Sequence, residues 1–104
     1  MRRDSQNYDR SIKQTYNLMR DIIVRKNLDI VSSDKNAGLI KAKTEKKYFL
    51  FGGITYSFTS RAISAQNTQV TIKTLDDVRQ SSFEIFTKQF FIAMDKEFPI
   101  VSGE

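Results

Sequence analysis

The chain has 104 residues and a mass of 12.1 kDa; 39% of it is hydrophobic, 12% aromatic and 28% charged, which suits one small domain with its own core. It holds no Cys and no His, so disulfides, thiolate zinc sites, cysteine nucleophiles and any chemistry that needs an imidazole are excluded. Four Gly and one Pro exclude collagen-like and low-complexity classes.

The net charge is +5, unevenly distributed. Twelve Lys/Arg stand against six Asp/Glu in residues 1–47, Arg61 and Lys73 stand without an acid in 48–75, and three bases meet six acids in 76–104. Such asymmetry either attracts an anionic partner or serves only solubility. The densest basic cluster is Lys41, Lys43, Lys46 and Lys47. No apolar run has the length to span a membrane, and Met1-Arg2-Arg3 is followed by polar residues where a signal peptide would place an apolar stretch.

In chain order, Tyr8, Ile12, Tyr16, Met19, Ile22 and Ile23 recur at helical spacing and predict a helix over about 9–26. Asp9 or Ser5 would cap its start, and Asn27 would end it in the left-handed region. A strand is expected at 28–32, then a turn at 33–38 in which Asn36 and Gly38 can take positive φ. Residues 39–45 have period two: Ile40, Ala42 and Thr44 on the inner side, Lys41, Lys43 and Glu45 on the wet side. Residues 46–53 fit either a hairpin extension or a loop with an apolar tip. Ile54, Tyr56 and Phe58 then alternate with Thr55, Ser57 and Thr59 in a third strand to about Ala62, and 68–74 form a fourth with Val70 and Ile72 inward. Ser81-Ser82-Phe83-Glu84 has a capping-box pattern before a helix over about 82–98, whose main stripe is Phe83, Phe86, Phe90, Ala93 or Met94, and Phe98, widened by Ile85, Phe91 and Ile92. Pro99 ends that helix and 100–104 read as a tail.

The expected fold is therefore α+β: an antiparallel three- to four-stranded sheet with an N-terminal and a C-terminal helix on one face, in the order α-β-β-β-β-α. It is one domain over 1–104, with an ordered core of about 8–98.

No catalytic, cofactor-binding or metal-binding residues emerge. Asp29, Asp34, Asp76 and Asp77 fall at turns and strand ends, where Asp serves backbone hydrogen bonding. Gly52-Gly53 lacks the spacing of a phosphate-binding loop. Tyr48, Phe49, Leu50 and Phe51, preceded by Lys46 and Lys47, are the candidate partner-contact segment, with extension of the core as the alternative reading. Phe91 and Ile92 lie off the main helical stripe and suggest partial exposure and a homodimer surface. Lys41, Lys43, Arg61 and Lys73 on strands raise nucleic acid as a partner, but Tyr56 and Phe58 share the inner parity. The wet face then has no stacking platform, which argues against nucleic acid.

Tyr8–Ile23, Leu28–Val31, Gly38-Leu39-Ile40-Lys41-Ala42-Lys43, Asn67-Thr68-Gln69-Val70-Thr71-Ile72 and Phe83–Phe98, in that order, resemble small bacterial exported lipoprotein-type domains of unknown function. The resemblance implies a lipid-modified Cys ahead of the domain, anchorage at a membrane facing the periplasm, and contact with envelope proteins or other envelope components. It implies no catalytic residue. The expectation is a non-enzymatic binding or structural domain without cofactors, held at the membrane only by an anchor outside this chain. The alternative is a small basic cytoplasmic domain that binds nucleic acid.

Overall fold

The computed structural model describes residues 2–44 and 53–98. Its elements are β1 (Arg2–Tyr8), α1 (Ile12–Arg25), β2 (Asp29–Asp34), β3 (Leu39–Lys43), β4 (Thr55–Ser64), β5 (Asn67–Thr74) and α2 (Gln80–Glu97). The five strands form one antiparallel sheet in the order β1-β5-β4-β3-β2. The α+β class holds, with five strands where three to four were expected.

The additional strand is β1. Its sequence, Arg-Arg-Asp-Ser-Gln-Asn-Tyr, has one apolar residue and so no alternation to read. It is fixed by pairing along the whole of β5, from Arg2 opposite Thr74 to Tyr8 opposite Thr68. Tyr8, expected on the first helix, instead closes the core from this strand. α1 accordingly starts at Ile12, and neither Asp9 nor Ser5 caps it. Ser11 does: its Oγ accepts from the Gln14 amide at 3.3 Å while Gln14 Oε1 accepts from the Ser11 amide at 3.3 Å. Asn27 ends the helix region at φ 59° as expected.

At the other helix the expectation fails. α2 begins two residues early, with Arg79 at the N-cap position and no side-chain cap, so Ser81 and Ser82 sit inside the first turn. Long-range contacts place that start: Val78 is buried, and Arg2 donates from Nε to the Val78 carbonyl at 2.7 Å and from Nη1 to Gln80 Oε1 at 2.7 Å.

The core lies between the two helices and one face of the sheet. Ile40 and Ala42 from β3, Tyr56 and Phe58 from β4, and Val70 and Ile72 from β5 are buried there, as their alternation predicts. Tyr16, Met19, Ile22 and Ile23 of α1 and Phe83, Phe90, Phe91 and Met94 of α2 cover them. Tyr56 stacks on Phe86 with ring centroids 4.0 Å apart, and Phe58 meets Phe90 at 4.9 Å. Such pairs add about 0.5–1.5 kcal/mol beyond area burial. Phe91 is buried at 5% exposure, against expectation, whereas Ile92 stands out at 45% and Ile85 at 60%.

Two further boundaries differ. β2 runs on through Ser33 and Asp34, and a bulge between Ile30 and Ser32 turns Val31 outward at 61% exposure. β4 continues to Ser64. The turn before β3 takes positive φ at Gly38 alone, φ 69°, where the backbone runs close to Ser60: the Gly38 carbonyl accepts from the Ser60 amide at 2.8 Å. A Cβ at Gly38 would collide with the Ser60 carbonyl, so both conformation and space require glycine. Among the described residues, no helix is long and apolar enough to cross a membrane.

Candidate functional site on the open sheet face

Both helices lie on one side of the sheet, so its other face has no covering element among the described residues. The registers give that face its composition. One row across the strands is Ser32, Lys41, Ser57, Lys73 and Arg3; the next is Asp34, Leu39, Thr59, Thr71 and Ser5. Arg61, Gln69 and Asn7 extend it on one side, and Asp29, Lys43 and Thr55 on the other. Antiparallel partners share a face, so each row projects to the same side.

On β1, β5, β4 and β3 these rows consist of Arg, Lys, Ser, Thr, Asn and Gln, with Leu39 the one apolar member and no acid. The acids, Asp29 and Asp34, are confined to β2 at the edge. Arg3, Lys41, Arg61 and Lys73 are exposed and Lys43 is half-buried. Among the described residues none of the five enters an ion pair; the one pair present, Arg25 Nη1 to Glu97 Oε1 at 2.7 Å, joins the exposed ends of the two helices. Ser5 and Thr71 hydroxyls meet at 2.9 Å across β1 and β5.

Lys41 and Lys43 of the expected basic patch thus project from β3 onto this face. Lys46, Lys47 and the contact segment Tyr48, Phe49, Leu50 and Phe51 lie outside the described residues. Arg61 and Lys73 join the two lysines through the strand pairing. Arg3, Ser5 and Asn7 were missed because β1 was missed; the only trace in the sequence is that Gln6 and Tyr8 share one parity and Arg3, Ser5 and Asn7 the other.

The aspartates noted in the sequence act on backbone where they act. Asp34 Oδ1 accepts from the Ala37 amide at 3.1 Å, and Asp76 Oδ2 from the Thr55 amide at 2.7 Å. No cluster of three or more acidic metal ligands occurs among the described residues. The two shifted tyrosines belong to the covered side. Burial, with the Asp95 carboxylate close by, drives the Tyr8 phenol far above its ordinary range, and Gln6 Nε2 bridges Tyr8 Oη at 3.0 Å and Asp95 Oδ1 at 2.8 Å. Burial, with a smaller effect of Asp76, pushes Tyr56 up to about 12. Compared with models of known protein families and with curated proteins, the chain matches none.

Proposed function

We propose that this chain is a non-enzymatic binding domain that holds an anionic partner on the open face of its sheet. The observation that supports this reading is the composition of that face: five cations among hydroxyl and amide side chains, with no acid in the rows that four adjacent strands turn to it; Asp4 of β1 belongs to the opposite parity. A surface selected only for solubility intersperses both signs, as the helices here do with Lys13, Arg20, Asp21, Glu84, Lys88 and Glu97. A single-sign field on one face raises the local concentration of an oppositely charged partner and speeds its arrival.

The test compares two charge reversals of equal size on the full chain. Lys41→Glu with Lys73→Glu alters the open face; Lys13→Glu with Arg20→Glu alters exposed positions of α1. Retention on phosphocellulose under a salt gradient is expected to be lost in the first variant and nearly kept in the second, with both retaining the parent's circular dichroism. Equal loss in the two would mean that net charge alone governs binding and would overturn the reading.

A further inference from the structure

Resting on that reading, we infer that the partner is the phosphate backbone of a double-stranded nucleic acid, crossing the open face transverse to the strands. Phosphate oxygens only accept hydrogen bonds, and the side chains that contact them are chiefly Arg, Lys, Ser, Thr, Asn and Gln. Those six types fill the paired rows of the face on β1, β5, β4 and β3 apart from Leu39. The short hydroxyls of Ser57 and Thr59 on the central strand reach a ligand only if it lies directly on the sheet, between the longer arms of Lys41 and Lys73.

Geometry favours a rod. Arg3, Lys73, Ser57 and Lys41 stand in one register row across β1, β5, β4 and β3. Three strand spacings make that row about 14 Å long. A duplex offers about eight phosphates over that length of axis. Neighbouring strands rotate by roughly 20–25°, so the face is a saddle on which the line transverse to the strands stays nearly straight and meets a rod along its length, while a flat bilayer touches at few points. Among the described residues Leu39 is the one apolar side chain in the paired rows, with Val31 and Ile63 exposed singly at the bulges of the β2 and β4 ends and forming no continuous patch with it. Among the described residues this face carries no aromatic side chain, which counts against single strands, whose bases need stacking partners. That does not count against a duplex, whose bases stack on one another and whose backbone is read by charge and shape.

The probes are a fluorescently labelled mixed-sequence 20-base-pair duplex, one of its strands alone, and vesicles containing an anionic phospholipid, each titrated with the full chain. Five phosphate contacts predict that duplex affinity falls about 500-fold between 50 and 200 mM salt. Lys41→Ala with Lys73→Ala should reduce that fall to about 40-fold, while Lys13→Ala with Arg20→Ala leaves it unchanged. Changing the duplex sequence should alter affinity only a few-fold. Tighter binding of the single strand, or duplex binding indifferent to Lys41 and Lys73, overturns the inference. Capture of vesicles but not duplex through those same lysines overturns it too, yet leaves the anionic-partner reading standing; failure of the phosphocellulose comparison removes both.

Discussion

The two faces of β4 are made by one strand and do opposite work. Tyr56, Phe58 and Ser60 point into the helices and are buried, while Ser57, Thr59 and Arg61 point away among cations and hydroxyls. The period of two therefore separates what holds the sheet together from what it offers to a partner. Substitutions one residue apart should act on different quantities, stability on one side and binding on the other.

Phe58→Ala should show the largest effect. Phe58 has no exposed surface and touches Tyr56, Phe86 and Phe90, so truncation leaves a cavity between sheet and α2. Urea unfolding should show a loss of about 3–5 kcal/mol. The neighbouring Ser57→Ala, on the other face, should stay within about 0.5 kcal/mol. Similar losses at both positions would mean that the open face is also a packed interface.

Alkaline titration sharpens the same contrast. In the unfolded chain Tyr56 ionises near 10; in the fold it holds its proton to about 12. Above pH 10 the unfolded state releases a proton that the folded state keeps, so stability is fully present below pH 10 and is lost toward pH 12. A two-unit difference corresponds to roughly 2–3 kcal/mol at full ionisation. Thermal melts across that range should fall, and Tyr56→Phe should flatten part of the fall. Tyr8, raised in the same direction, supplies a further share.

The covered face was legible in the sequence because burial imposes periodicity: Ile40 with Ala42, Tyr56 with Phe58, and Val70 with Ile72 all lie where their alternation puts them. β1 was not, because what fixes it is distant. Its backbone pairs with β5, Arg2 reaches Val78, and Gln6 reaches Asp95 across 89 residues of sequence. Half of the candidate site followed that division, with Lys41 and Lys43 visible on an alternating strand and Arg3 hidden on a polar one. The helix starts carry the same lesson. Ser11-x-x-Gln14 and Ser81-x-x-Glu84 look alike in sequence, yet only the first is a capping box, because burial of Val78 and the Arg2 contacts set where α2 begins. Ser11→Ala should accordingly cost about 1 kcal/mol in urea unfolding. Ser81→Ala should change stability by less than half as much.

The smallest effect has an unusual sign. Lys41 and Lys73 flank Ser57 from the two neighbouring strands, so their attachment points stand two strand spacings, about 10 Å, apart on one face. Two like charges at that distance in water repel by about 0.4 kcal/mol. Neither is ion-paired among the described residues, so removing one relieves repulsion and breaks no bridge. Lys41→Ala should therefore stabilise the fold by a few tenths of a kcal/mol at 10 mM salt, and the gain should vanish at 1 M, where the screening length falls to about 3 Å. The same substitution weakens the proposed binding. A residue that costs stability and supports binding is what a functional position looks like in energetic terms. If Lys41→Ala instead destabilised the chain at every salt concentration, the lysine would be serving the sheet, and the division of labour between the two faces would fail at its most exposed point.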